Sequence, residues 1–355
     1  MRIGVPKELK PLEGRVGLIP AACADLLRAG HEVFVETGAG LKSGYPDHAY
    51  SAFGVVVQPN AEALYAAADL IIKVKEPVAD DLRWLRARHT LFCYLHLAAD
   101  RVLTDRLLAI GLTAVAFETV EWQGKLPLLA PMSDIAGRLA VQVGAHLLHQ
   151  PQGGKGLLLG GLAGVERGKV AVIGAGQAGG NAAAMAAAIG AEVTVFDQKP
   201  ERLEAMWALG ANVTALYPYV DALDRAIREA DLLIGAVLIP GAKATHVVGA
   251  EQVRTMAPGS VIVDISVDQG GCIETTRPTS YADPTYSVDG VVHFCVTNMP
   301  GAVPRTASQA LSSAILPYVR RLAEDPDWRS DPALARGVNL EAGRLRHPAV
   351  QAAFA

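Results

Sequence analysis

The chain has 355 residues, more than a single hydrophobic core usually sustains, so two domains are the default. Its 32 Lys and Arg against 36 Asp and Glu leave a formal charge of −4 with both signs interspersed, which gives no basis for binding nucleic acid or an anionic membrane. Although 51% of the residues are hydrophobic, no apolar run approaches the roughly 20 residues of a membrane span, which leaves small molecules as the expected partners.

The amino terminus, Met1 to Glu8, starts like a strand and lacks the apolar centre of a signal peptide, so export is not expected. Short β-branched runs then alternate with longer amphipathic ones: Ile3–Val5, Ala21–Arg28, Glu32–Glu36, Ala61–Ala68, Asp69–Val74, Thr90–His96, Arg101–Ile110 and Leu112–Glu118. Such alternation predicts a parallel sheet with covering helices. Met132–His149 has a helical apolar pattern. The glycine-rich stretch Gln152–Gly161 lacks the GKS or GKT ending of a phosphate-binding P-loop and reads as a connection. A second cycle runs from Val170 through Glu192–Asp197, Asn212–Leu216, Asp231–Val237 and Ser260–Ile265. Ser308–Asp325 reads as a long amphipathic helix that carries the chain back, and the tail after Pro326 is too short and too polar for a third domain. The predicted fold is therefore α/β, with two doubly wound parallel-sheet domains and a cleft between them. Cys23, Cys93, Cys272 and Cys295 lack the paired spacing of a zinc site or a thiol redox motif; they read as reduced core thiols of a cytoplasmic protein. The histidines other than His96 show no ligand spacing, and no metal is implied.

The most telling motif is Gly174-Ala-Gly176-Gln-Ala-Gly179, between a strand-like run and an alanine-rich helix-like one, with Asp197 closing the next apolar run. Gly174 permits a tight turn, Gly176 lets the backbone approach a pyrophosphate, and Gly179 lets helix and strand pack closely. The helix N-terminus offers unpaired N–H groups and a positive dipole end to the phosphates. Asp197 is placed to accept hydrogen bonds from a ribose diol and to repel a 2′-phosphate, which favours NAD over NADP, while Lys199 and Arg202 nearby leave room for the opposite preference.

In open α/β sheets ligands bind outside the carboxyl ends of the strands, so polar residues that close apolar runs carry weight. Leu70–Lys75 ends in Lys75, Thr90–His96 in His96, and Ser260–Asp268 in Asp268. An amine, an imidazole and a carboxylate around one nicotinamide suit redox chemistry at a carbon bearing nitrogen or oxygen. His96 can take and return a proton near neutral pH, Lys75 can hold a carboxylate or a developing oxyanion, and Asp268 can stabilise an iminium or orient water. Arg15, in the loop after the first strand, offers a guanidinium fork for a carboxylate. Taken singly, His96 is equally a core histidine, Lys75 a snorkelling surface residue, Asp268 a cap and Arg15 a solvated loop residue.

Gly4-Val-Pro-Lys-Glu8 with Arg15-Val16, Ile72–Pro77, Leu95–Ala99, Leu129–Ser133, Gly174-Ala-Gly176, Gly235–Lys243, Asp268–Gly271 and Thr297–Pro300 together resemble the alanine dehydrogenase family, in its motif order and over nearly the whole chain. The resemblance implies NAD-dependent, reversible oxidative deamination of L-alanine to pyruvate and ammonia, serving alanine catabolism. It implies a substrate domain from residues 1–130 and 306–355, a Rossmann NAD-binding domain from 131–305, and a homohexamer. Carried over by position, Arg15 and Lys75 hold the pyruvate carboxylate and carbonyl, and His96 and Asp268 are catalytic. Ser133, Gly174, Gly176, Gly179, Asp197, Arg202, Val237, Leu238, Ile265, Ser266, Val267, Asp268, Arg277, Val296, Thr297, Asn298 and Met299 match the family's cofactor contacts. One departure is Asp134, where the family carries Glu.

Three rival readings remain. The NAD-binding component of proton-translocating transhydrogenase is similar at Arg15, at the glycine motif and at Val261–Asp264, but lacks counterparts of His96 and Asp268. A dehydrogenase for a larger amino acid would use the same hydride logic. A non-catalytic dinucleotide sensor would be expected to lose at least one of the four polar residues.

Overall fold

The computed structural model describes residues 1–237 and 246–354. They form two compact units, Met1–Met132 with Gly301–Ala355, and Ser133–Pro300. The chain passes between them twice, within the helix Ala130–Leu147 and again at Pro300–Gly301.

The first unit opens with β1 (Arg2–Val5), β2 (Glu32–Glu36), β3 (Val56–Gln58), β4 (Leu70–Ile72), β5 (Thr90–Cys93) and β6 (Thr113–Ala116), joined by helices such as Pro20–Arg28, Ala61–Ala67 and Arg101–Ile110. The second unit carries β7 (Lys169–Ile173), β8 (Glu192–Phe196), β9 (Val213–Leu216), β10 (Leu232–Gly235), β11 (Val261–Asp264), β12 (Thr285–Val288) and β13 (Val291–Phe294). After the helix Pro304–Glu324 the chain adds β14 (Val338–Glu341) and β15 (Arg344–Leu345) to the first sheet.

The sheet orders are β15-β14-β6-β5-β4-β1-β2-β3 and β12-β13-β11-β10-β7-β8-β9. In each, three strands build outward in one direction, and the next returns to the far side of the first. The pairs β1/β4 and β7/β10 are thus topological switch points, where ligands of such sheets bind beyond the carboxyl ends. Helices cover both faces, which is why the central strands are apolar throughout: Ile3, Val5, Leu70, Ile71, Ile72, Leu91 and Phe92 are all 0% exposed.

Both sheets depart from the all-parallel expectation at one edge. β12 runs antiparallel to β13, and β14 runs antiparallel to both β6 and β15. Two tight turns close the β12/β13 and β14/β15 hairpins, Asp289-Gly290 and Ala342-Gly343, whose four residues all have positive φ (51°, 80°, 49° and 72°). Two-residue loops of this kind match strand twist and close hairpins. The tail after Pro326 thus forms a sheet edge, with Leu334 and Leu340 fully buried. All four cysteines are buried free thiols. No described helix is long and apolar enough to cross a membrane.

Candidate active site

In the first unit Arg15, Lys75 and His96 lie on the loops that follow β1, β4 and β5, three adjacent strands, at their carboxyl ends. The strands are shorter than the sequence suggests: β4 stops at Ile72 and β5 at Cys93, so Lys75 and His96 each sit three residues out on a loop. In the Lys75 and His96 loops a carboxylate takes over backbone N–H groups that the sheet no longer pairs.

Arg15 is 2% exposed. Its neighbours are tied to the helix Pro304–Glu324: the Val16 N–H donates to Ser308 Oγ at 2.9 Å and the Ile19 N–H to Ser312 Oγ at 3.1 Å. The guanidinium donates from Nε to Glu13 Oε1 at 2.7 Å and from Nη2 to Glu13 Oε2 at 2.6 Å, while Nη1 meets Met132 Sδ at 3.2 Å. Burial works against its charge and Glu13 outweighs burial, so it stays cationic. The fork expected to clamp a ligand carboxylate thus has its Nε/Nη2 edge taken by Glu13.

Lys75 is half-buried, and its backbone N–H donates to Glu8 Oε2 at 3.4 Å. Among the described residues no hydrogen bond or ion pair engages its amine. Burial pushes this amine below the usual lysine range; Glu76 opposes, while Arg15 and Lys10 add to the fall.

His96 is exposed and adopts a left-handed backbone, φ 50° and ψ 35°. Such a conformation is uncommon for a residue with a Cβ and persists only where the surroundings enforce it. Here Glu118, just past β6, enforces it by accepting the N–H of Leu95 at 3.2 Å and of His96 at 2.6 Å. The imidazole lies nearly parallel to the Tyr94 ring (12°, centroids 6.1 Å apart), and Tyr94 is itself fixed by donating to the Leu128 carbonyl at 2.6 Å.

In the second unit the glycine turn lies between β7 and the helix Gln177–Ala188. Gly174 has φ +97°, and a Cβ there would meet the Ala236 carbonyl oxygen at 2.8 Å and Val237 Cγ2 at 3.1 Å. A Cβ on Gly179 would stand 1.8 Å from the Gly174 oxygen, which no side chain tolerates. On Gly176, among the described residues, the same atom meets only Arg202 Nη1, at 3.8 Å, beside a helix N-terminus that no described side chain caps. That is the cradle a pyrophosphate fits.

Asp197 follows β8 and is 9% exposed. Its Oδ2 accepts the Ala175 N–H at 2.8 Å and Arg202 Nη1 at 3.1 Å; its Oδ1 accepts the Lys199 N–H at 2.9 Å. Burial favours its neutral form, but the two N–H donors and Arg202 together prevail and hold its pKa below the usual carboxylate range. The acid expected to meet a ribose is thus a strut of the glycine turn.

The other cofactor candidates of this unit follow the same sheet edge. Ile265, Ser266, Val267 and Asp268 come after β11, with Asp268 exposed on the turn Val267–Gln269, four residues beyond the strand end it was expected to close. Buried Asp264 ties this loop: Oδ1 accepts from the N–H and hydroxyl of Ser266, at 3.0 and 2.7 Å, and Oδ2 from the Cys272 N–H and the Thr276 hydroxyl, at 3.0 and 2.8 Å. Val296, Thr297, Asn298 and Met299 follow β13, Asn298 with φ 62°. Arg277 is exposed, with its guanidinium 4.1 Å from the Tyr286 ring centroid. Ser133 sits on the helix Ala130–Leu147, and its neighbour Asp134 accepts from Gln177 and, at 2.8 Å, from Asn181 on the helix after the glycine turn. Leu238 lies outside the described residues.

Residues 4–136 match the family model "Alanine dehydrogenase/PNT, N-terminal domain", and residues 140–348 match "Alanine dehydrogenase/PNT, C-terminal domain". The chain belongs to the alanine dehydrogenase/PNT family. The alanine dehydrogenase of Halomonas elongata is 49% identical over 360 residues, covering 100% of this chain and 97% of that protein. That of Bacillus subtilis strain 168 is 46% identical, covering 99% and 94%. A solved L-alanine dehydrogenase superposes with a TM-score of 0.97 at 51% identity, covering 100% of this chain and 99% of that one. A transhydrogenase from Sinorhizobium meliloti follows with a TM-score of 0.86 at 27% identity over 98% of this chain.

Glu8, Glu13, Glu118 and Asp264, the carboxylates that hold these family loops in place, escaped notice in the sequence. Their signal was faint: an acid within or just beyond an apolar run.

Proposed function

We propose that this protein is an NAD-dependent alanine dehydrogenase, catalysing the reversible oxidative deamination of L-alanine to pyruvate and ammonia. The observation that carries the reading is the convergence of a buried guanidinium, a half-buried amine and an exposed imidazole on the loops of three adjacent strands, at a topological switch point. Support comes from the glycine cradle and from the full-length likeness to proteins named alanine dehydrogenase.

In this reading the first unit is the substrate domain and the second the dinucleotide domain. When bound at the glycine turn, NAD supplies the hydride acceptor. Arg15 and Lys75 hold the substrate carboxylate and carbonyl as cations, which orients Cα and stabilises the developing negative charge. His96 takes the proton from the attacking water and returns one as ammonia departs. Asp268 balances the cationic iminium. Ser133, Asp197, Arg202, Arg277 and the segments at Val237, Ile265–Asp268 and Val296–Met299 line the cofactor. A homohexameric, cytoplasmic enzyme completes the reading, and its mass in solution tests the assembly.

The test is spectrophotometric. Purified protein is expected to reduce NAD⁺ with L-alanine at alkaline pH and to oxidise NADH with pyruvate and ammonia, with turnover largely confined to this pair. Tight NADH binding without turnover of any amino acid would favour a transhydrogenase-like or sensor role instead.

The lowered pKa of Lys75 makes a second prediction. Its cationic form is complete below the depressed value and is lost as pH rises through it, before an ordinary lysine at roughly 10.4 titrates. Pyruvate binding to the NADH-loaded protein is therefore expected to weaken as pH rises, with a midpoint below that of an ordinary lysine, and Lys75→Arg to remove this alkaline limb. Fluorescence titration across pH checks it; an identical limb in Lys75→Arg would assign the effect to another group.

A further inference from the structure

Behind Lys75 lies a charge cluster that the proposed chemistry does not use. Lys73 is wholly buried, with side-chain exposure of 0%, and its ammonium stands 3.4 Å from Glu8 Oε2 and 3.3 Å from Asp81 Oδ2, carboxylates that are 4% and 2% exposed. Tyr65 donates to Asp81 Oδ1 at 2.9 Å, and the Val78 N–H to Asp81 Oδ2 at 3.0 Å. Glu8 Oε1 accepts the Val74 N–H at 2.7 Å, and Oε2 the Lys75 N–H.

The sheet explains the arrangement. Beyond Ile72 the chain keeps its bonds toward β5, with the Lys73 N–H donating to the Phe92 carbonyl at 3.2 Å and the Tyr94 N–H to the Val74 carbonyl at 3.0 Å. On the other flank β1 has ended at Val5, followed by Pro6, and the Glu8 side chain supplies the missing acceptors. Burying two carboxylates and an ammonium carries a large desolvation cost before their attraction is counted, and apolar residues of like volume often serve stability better. What the cluster adds is a fixed backbone on both sides of Lys75, bracketed by Glu8 at residues 74–75 and Asp81 at residue 78. Burial pushes the Glu8 carboxyl up, against the pull of Lys73, whereas Lys73 is raised because its two carboxylates outweigh its burial.

We propose that Glu8, held by Lys73, which Asp81 holds in turn, is the positioning residue for Lys75: its carboxylate fixes the loop so that the amine stands ready for the substrate. This rests on the role given to Lys75 above. Glu8→Gln keeps one oxygen for the Val74 N–H but sets an NH₂ against the Lys75 N–H and the Lys73 ammonium, donor against donor.

Glu8→Gln is expected to raise the KM for pyruvate by about tenfold while the KM for NADH stays within about twofold, a split that general loss of structure would not produce. In the same sample, hydrogen–deuterium exchange of peptides covering residues 73–78 is expected to quicken by roughly tenfold, with peptides of the second unit unchanged. Asp81→Asn, which keeps size and the acceptor for Val78, is expected to move both readouts the same way by less and serves if Glu8→Gln fails to fold. A folded Glu8→Gln protein with wild-type exchange at 73–78, or with wild-type pyruvate KM in an active enzyme, overturns the proposal. Should the wild type itself turn over no pyruvate, the functional reading falls, while the exchange still decides whether Glu8 holds this segment.

Discussion

Replacing His96 with alanine is expected to lower turnover with alanine and with pyruvate by about 10²- to 10⁴-fold, the range that general acid–base groups supply. NADH binding is expected to be nearly unchanged, because the glycine turn and Asp197 belong to the other compact unit. The structure lends His96 a specific backbone. A left-handed residue at φ 50° carries strain, and Glu118 keeps it there through the Leu95 and His96 N–H groups. Those bonds go to the backbone, so they survive the substitution and the loop keeps its course. His96→Asn, whose side chain tolerates the left-handed region, is the control for backbone strain and is expected to be as slow as the alanine variant. Steady-state rates with parallel NADH titrations check this, and near wild-type turnover in either variant would remove His96 from the chemistry.

Replacing Asp197 with alanine is expected to weaken NADH binding by roughly 10- to 100-fold, the loss of charge-assisted hydrogen bonds worth about 1.5–3 kcal/mol. NADPH binding is expected to suffer less. The carboxylate that repels a 2′-phosphate is gone, and Arg202, with a side chain 42% exposed, is released from its 3.1 Å contact to meet one. Because Asp197 also accepts the Ala175 N–H, part of the loss falls on both cofactors alike through the glycine turn. The ratio of the two affinities isolates the ribose role: a parallel fall with an unchanged ratio would leave Asp197 as a strut only. Its pKa adds a check. With the folded value held below the usual carboxylate range near 3.9, the charge is complete above that pH and is lost only on descending through the lower folded value, so Asp197 makes no contribution to the pH dependence of NADH binding between about pH 5 and 9.

The two variants probe features of different legibility. The glycine turn could be read because its demands are local: Gly179 is needed where a Cβ would stand 1.8 Å from the oxygen of Gly174, within one βαβ unit of recognisable pattern. Lys75 and His96 could be read as polar residues closing apolar runs, although both lie three residues past their strands, since an apolar pattern does not mark where ladder bonds stop. The hairpin at Asp289-Gly290 had a local signature too, a DG pair between β-branched runs, and it was lost in the dominant parallel pattern.

The partners of these residues were not readable. Glu13 is two residues from Arg15, and nothing in that spacing says that the acid takes the Nε/Nη2 edge of the guanidinium with both oxygens in a buried pair. Glu8 meets Val74 across 66 residues, and Glu118 meets His96 across 22. Such contacts exist only once strand order is set, because β1 and β4 become neighbours by a crossover that no local pattern encodes.

By itself, then, the sequence determined the alternation of strands and helices, the glycine turn with its acid, and the polar residues set at the ends of apolar runs, since each follows from side-chain period or backbone freedom within a few residues. Only the tertiary structure decided where the strands stop, which edges turn antiparallel and which carboxylates hold the loops of Arg15, Lys75, His96 and Asp268. Those outcomes depend on which backbone groups lack partners in the assembled sheets, and buried N–H groups and charges must find acceptors wherever the fold brings them.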